Sequence, residues 1–164
     1  PSWLVSKYYA PKRVYNSKAG WEGSFSYEHV WKKGYGFGID MSLFRTVFEG
    51  EDLYTNAKYD LMLFYLGPSF VINAKITKKW QYNTAIGLGY ASYNENGDYT
   101  EGGVGVMLRA GIDYCFSKHF GVGVDMNLQS AVFKRPDNVD KYMEPNERYG
   151  FERLNILAGL RYFF

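Results

Sequence analysis

A chain of 164 residues with 19 Lys and Arg against 17 Asp and Glu carries a net charge of only +2, which excludes the strong basic excess of a nucleic-acid binder. Its length suits one domain, 1–164, and 20% of its residues are aromatic, with 16 Tyr and 18 Gly. The longest apolar run, Leu61 to Leu66, is far short of the ~20 residues that a membrane helix needs, and a lone cysteine, Cys115, excludes an internal disulfide or a thiolate metal cluster.

Beginning at Pro1 rather than Met, the chain reads as a processed or truncated product whose targeting segment is out of view. Residues 2–10 (SWLVSKYYA) read as a first strand with Trp3 and Val5 on its apolar face, part of it lying upstream of Pro1. A basic loop over 11–20 follows, containing Lys12, Arg13 and Lys18, with Lys7 in the segment before it.

Seven clearer strands come next, each alternating with the period of two that marks a strand. Trp21 to Trp31 sets Trp, Phe and Tyr against Glu22, Ser24, Ser26 and Glu28. Tyr35 to Val47 follows, then Asp60 to Ile76 with Met62, Phe64, Leu66, Phe70 and Ile72 on one face. From Trp80, the side Tyr82, Thr84, Ile86, Leu88, Tyr90 opposes Asn83, Ala85, Gly87 and Gly89. Val104 to Phe116, Phe120 to Val132 and Leu154 to Phe164 repeat the pattern.

Matching the apolar faces of neighbours sets residue 31 opposite 35, 76 opposite 80 and 116 opposite 120. Three three-residue turns result: Lys32-Lys33-Gly34, Thr77-Lys78-Lys79 and Ser117-Lys118-His119. Gly34 stands where such a hairpin wants a left-handed residue, and His119 holds the equivalent place. The other connections, 49–58, 94–102 and 134–148, are long and polar, so short turns are expected at one end and long loops at the other. A gapless internal repeat aligns YGFGIDMSLFRTVF (35–48) with FGVGVDMNLQSAVF (120–133), two strands in equivalent settings.

The polar face decides which way the sheet is turned. It holds Gly, Ala, Ser, Asn, Asp and Arg, while lysine is largely confined to turns and loops. Small residues with a few charges of both signs suit the inside of a small closed barrel, where volume is scarce and ions must pair. The apolar face then points outward, an aggregation hazard in water and a requirement in lipid. Trp31, Tyr35, Trp80, Tyr82, Tyr114, Phe116, Phe120, Tyr162 and Phe164 gather beside the short turns and the C-terminus as an interfacial belt.

The ending Gly159, Tyr162, Phe164 resembles the Gly-x-x-aromatic-x-aromatic signal by which bacterial outer-membrane β-barrels are read by their assembly machinery; Leu157 stands where that pattern usually has a polar residue. The whole resembles the small eight-stranded barrels of the OmpX and OmpA transmembrane type, in the Tyr- and Lys-rich style of Bacteroidota. The resemblance implies an all-β, antiparallel up-and-down transmembrane barrel of eight strands in a bacterial outer membrane. The partners it implies are outer-membrane lipid and lipopolysaccharide, the barrel-assembly machinery and other outer-membrane proteins.

Inward charges on this reading are Glu22, Glu28, Asp40, Asp113 and Asp125 against Arg109, Arg153 and Arg161. The hairpin register puts Asp125 opposite Gly111 and diagonal to Arg109, within reach of an ion pair. A structural interior network accounts for these groups better than catalysis does, and an eight-stranded barrel filled this way leaves no open pore. Lys7, Lys12, Arg13 and Lys18 suit lipopolysaccharide phosphates if the first long loop faces outward. Asn and acidic oxygens in 94–102 lack the full pattern of a calcium loop, and turn chemistry explains Asn96-Gly97.

The expected role is a scaffold presenting loops to surfaces, ligands or a larger membrane complex, with no reaction, cofactor or metal. One rival is a lipid A-modifying enzyme, although His29 is followed two residues later by Trp31 and His119 by Gly121, where a deacylase pattern would carry Ser. The other is a soluble lipocalin-like barrel with an apolar interior.

Overall fold

The structure is a computed structural model that describes residues 2–3, 19–52, 55–95, 97, 99–133 and 149–164. Seven long strands run up and down in chain order: β2 (Ala19–Val30), β3 (Tyr35–Asp52), β4 (Thr55–Lys75), β5 (Trp80–Glu95), β6 (Tyr99–Cys115), β7 (Phe120–Phe133) and β8 (Tyr149–Tyr162). Each pairs antiparallel with the next. A two-residue strand, β1 (Ser2–Trp3), pairs with β2 on one side and β8 on the other, joining the two ends of the sheet. The rest of the expected first strand, 4–10, lies outside the described residues.

Walking from partner to partner, Gly20 leads through Ser2, Asn155, Asn127, Arg109, Ala85, Val71 and Gly36 back to β2 at Val30, ten residues along from the start. Ten residues at ~3.4 Å, against a circumference of about eight strand spacings of ~4.8 Å, set a strand tilt of about 40°. A barrel of this size has an interior that side chains alone fill.

The three short turns have the expected register. Trp31 N–H donates to Tyr35 O at 2.9 Å, Ile76 N–H to Trp80 O at 2.9 Å, and Ser117 N–H to Phe120 O at 3.1 Å. They reach it by two routes. Gly34 takes φ +85°, and a Cβ there would stand 2.6 Å from Asn73 O. In the other two turns the first residue's hydroxyl caps the bend: Thr77 Oγ1 accepts from Trp80 N–H at 3.1 Å, and Ser117 Oγ from Phe120 N–H at 2.9 Å.

The opposite end corrects the sequence reading. Residues 49–52 and 55–58 are paired strand and not loop, because the β3–β4 ladder continues through Glu49↔Lys58 to Asp52↔Thr55. The expected loop 94–102 likewise contracts to a connection between Glu95 and Tyr99, with Asn94 paired to Thr100. Polar residues alternate no apolar face, so hydropathy reports them as loop even where backbone pairing carries the hairpin onward. Residues 134–148 lie outside the described residues.

The pleat is oriented as the polar face implied. Ile86, Leu108, Val124 and Leu160 are 53%, 45%, 56% and 83% exposed, whereas Asp125 and Arg109 are 5% and 8% exposed. On β6 the outward series Val104, Val106, Leu108, Ala110, Ile112, Tyr114 covers ~34 Å of strand, or ~26 Å along the barrel axis at that tilt.

Candidate functional site

The lumen is layered. At its top, on the side of the long connections, Phe44, Leu61, Leu63, Tyr65, Tyr93, Phe133 and Phe151 form a buried apolar cluster. Tyr93 meets Phe133 edge-on at 4.9 Å between ring centroids, and Phe133 stacks on Phe151 at 5.7 Å. Sequence reasoning missed this plug. The run Leu61 to Leu66 is apolar on both faces, so its alternation conceals that Leu61, Leu63 and Tyr65 turn inward while Met62 and Leu66 turn out.

Beneath the plug lies Arg153, 1% exposed, with its guanidinium 4.9 Å from the centre of the Phe44 ring. Its Nη2 donates to Ser42 Oγ at 2.9 Å and to Gln129 Oε1, and Gln129 Nε2 donates to Ser42 Oγ at 3.0 Å. Glu22 Oε2 stands 3.6 Å from Arg153 Nη2, and neither Glu22 oxygen has a hydrogen-bond partner among the described residues.

Two clusters, each with one guanidinium between two carboxylates, occupy the lower lumen. Arg109 Nη1 donates to Asp40 Oδ1 at 2.7 Å and to Ser26 Oγ at 2.6 Å, while Nη2 pairs with Glu28. Arg161 Nε donates to Asp113 Oδ1 at 3.1 Å, and Nη2 pairs with Asp125. Asn83 and Gln81 also donate to Asp113, at 3.0 and 3.2 Å.

The expected ion pair between Asp125 and Arg109 is therefore corrected. Asp125 does face Gly111, but its carboxylate turns to Arg161, and Arg109 extends across the lumen to β2 and β3. Glycine makes room for this arrangement: a Cβ on Gly111 would collide with Asp125 Oδ1, and one on Gly123 would sit 3.1 Å from Arg161 Nη2. All eight sequence-selected inward charges stand on the lumen side, divided between these clusters and the Arg153–Glu22 pair.

The short-turn rim carries the aromatic rings. Trp31 packs against Tyr35 at 5.4 Å and Phe37 at 5.7 Å, Trp80 against Tyr114 at 5.0 Å, and Phe120 against Tyr162 at 5.2 Å. Gly159 pairs with Gly123 on β7, and the rings of Tyr162 and Phe164 meet edge-on at 5.0 Å on the outer surface. Phe163 N–H donates to His119 O at 2.8 Å, and His119 Nδ1 lies 3.0 Å from Phe163 O, tying the C-terminus to the third short turn. His29 stands edge-on to Trp31 at 5.8 Å.

Facing outward on β3 and β4, Arg45 and Asp60 form a two-pronged ion pair, with Nε donating to Oδ1 at 2.9 Å and Nη2 bound to Oδ2. It interrupts the outward apolar surface above Leu43. In the 94–102 hairpin, Asn94 Oδ1 accepts from Gly97 N–H at 2.9 Å and Asn94 Nδ2 donates to Thr100 Oγ1 at 2.6 Å, so turn chemistry uses its polar atoms. Lys7, Lys12, Arg13 and Lys18 lie outside the described residues.

No family model, curated protein or solved structure matches the chain.

Proposed function

We propose that this chain is a transmembrane β-barrel of a bacterial outer membrane, closed by eight strands, that acts as a scaffold for the hairpins and loops at its far end. The outward apolar belt carries this reading. Its ~26 Å height on β6 matches the ~25 Å apolar band of such barrels, with aromatic rings at its lower margin and the Arg45–Asp60 pair at its upper margin on β3 and β4. In water a belt of this extent is a large aggregation surface; in hydrocarbon it is what the solvent demands.

The short turns and C-terminus then face the periplasm and the extended hairpins face the exterior. Lipopolysaccharide is the partner proposed for the basic stretch containing Lys7, Lys12, Arg13 and Lys18, and the assembly machinery for Gly159, Tyr162 and Phe164. The extended β3–β4 and β5–β6 hairpins offer a firm platform for a ligand or for another outer-membrane protein. The reading assigns no reaction to the lumen, whose ionic groups are engaged with one another.

Fractionation of cells expressing the natural protein tests this. The expected result is recovery with outer membranes, resistance to carbonate washing and release only by detergent. A folded monomer in the soluble fraction overturns the reading.

A further inference from the structure

Charge is segregated along the barrel. Of the 17 carboxylate side chains, Glu22, Glu28, Asp40, Asp113 and Asp125 stand on the lumen side. The remaining twelve belong to 49–60, 95–101 and 137–152, stretches that end or connect the strands away from the short turns. No Asp or Glu occurs in 29–39, 61–94, 114–124 or 153–164, which contain the short turns and the strand ends beside them. Lys32, Lys33, Lys78, Lys79 and Lys118 lie on those turns, all exposed, and none is ion-paired among the described residues. The rim is a ring of positive charge that no described side chain neutralises.

The turns hold these lysines on a fixed base. The last residue of each turn accepts a backbone hydrogen bond from the next strand along: Asn73 N–H donates to Gly34 O at 2.7 Å, Cys115 N–H to Lys79 O at 2.7 Å, and Phe163 N–H to His119 O at 2.8 Å. Each turn is clamped in the same way, so little backbone freedom is lost when a ligand binds there. At the second turn the side chain's course is also defined. Lys79 Nζ lies 5.9 Å from the centre of the Tyr114 ring, on the outer wall beside Trp80. A lysine stem laid over an apolar wall with its ammonium at the edge suits a boundary between hydrocarbon and water.

Spacing decides what kind of anion fits. Successive short turns are two strands apart, about 12 Å along the perimeter at the tilt given above. That exceeds the screening length of ~8 Å at physiological salt, so each turn acts as a separate local charge. An acidic protein capping the end of the barrel would be met by ammonium groups turned toward the axis, whereas Lys79 is turned to the outer wall. A lipid leaflet surrounds the barrel and offers a phosphate to every turn at the level of the aromatic rings. Phosphate oxygens are strong acceptors for lysine donors.

We propose that the short-turn rim is a binding collar for anionic glycerophospholipid, in which Lys32, Lys33, Lys78, Lys79 and Lys118 hold headgroup phosphates of the surrounding leaflet. The inference rests on the membrane reading, which puts a leaflet at this level, and adds the charge that its lipid must carry. A lysine beside an anionic surface favours association about fivefold, so the turns select an anionic headgroup over a zwitterionic one. Lys75 provides an internal contrast. It follows the inward parity of Val71 and Asn73 on β4 and takes no part in the collar.

The test uses the natural protein, purified in detergent and reconstituted into phosphatidylcholine vesicles containing a minor fraction of phosphatidylglycerol. Bromine on the acyl chains of one lipid or the other quenches the tryptophans that it touches. Trp3→Phe with Trp21→Phe leaves Trp31 and Trp80, beside the first and second turns, as reporters. Phosphatidylglycerol is expected to bind beside them about fivefold more tightly than phosphatidylcholine, and added salt should reduce the difference. Lys78→Gln with Lys79→Gln should lower the preference, Lys78→Arg with Lys79→Arg should keep it, and Lys→Gln at all five positions should abolish it. Lys75→Gln should leave it unchanged, and urea unfolding of each variant checks that the barrel is intact. Equal quenching by the two lipids overturns the proposal and assigns the lysines to an acidic macromolecule; a preference that survives loss of all five lysines overturns it too. Failure of the membrane reading is distinguishable, because a protein that does not insert is quenched by neither lipid.

Discussion

Arg109 on β6 meets Asp40 on β3 at 2.7 Å across the lumen, so walls that share no backbone ladder are held together through a buried ion pair. Removing one member of such a pair leaves an uncompensated charge in a poorly solvated space, at a cost of about 3–5 kcal/mol. Arg109→Met strands both Asp40 and Glu28 and is expected to destabilise the barrel by roughly that amount, measured by urea unfolding in lipid vesicles. Adding Asp40→Leu should recover part of the loss, and no recovery would show that Asp40 is not the partner that matters.

The outer face makes the opposite demand. Leu108, at the middle of the belt on β6, is predicted to resist a charge: Leu108→Arg should cost about 2–4 kcal/mol in vesicles, against about 0–1 for Tyr82→Arg near the lower margin. Reversible unfolding of the two variants gives the comparison. Equal and negligible costs would describe a barrel whose exposed surface meets water.

Arg45 and Asp60 interrupt the outward apolar surface above Leu43 with a two-pronged ion pair. Arg45→Gln breaks it and is expected to leave unfolding in vesicles little changed, because an exposed pair contributes little. The small difference should shrink further in added salt, and a large loss independent of salt would show that the pair is not exposed to water.

His119 fastens the C-terminus through its contacts with Phe163 and Tyr162. His119→Ala is expected to cost about 0.5–1.5 kcal/mol and to speed exchange of the Phe163 amide, while amides in the middle of β8 keep their rates. Deleting Phe164 should leave refolding into detergent intact and reduce the amount assembled in cells, measured by outer-membrane recovery.

Much of the architecture is legible because hydropathy and turn chemistry are local. The alternation from Tyr35 to Val47 locates β3, and equal short turns at Lys32, Thr77 and Ser117 fix three registers. Partners across the lumen are not legible in this way. Nothing near Arg109 in the chain distinguishes Asp125, one strand away, from Asp40 and Glu28 on the far wall, because that choice depends on closure. The plug was hidden for a related reason: where both faces of β4 are apolar, alternation has no contrast. The projecting hairpins escaped because paired backbone in water needs no greasy face.

The aromatic stopper of Phe44, Tyr65, Tyr93, Phe133 and Phe151 has an electrical consequence. If the barrel spans a bilayer as proposed, water entering from the turn side meets these buried rings before the far surface, and a continuous wet path for ions along the axis is not expected. Reconstituted in a planar bilayer, the protein should add no steady current at any holding voltage.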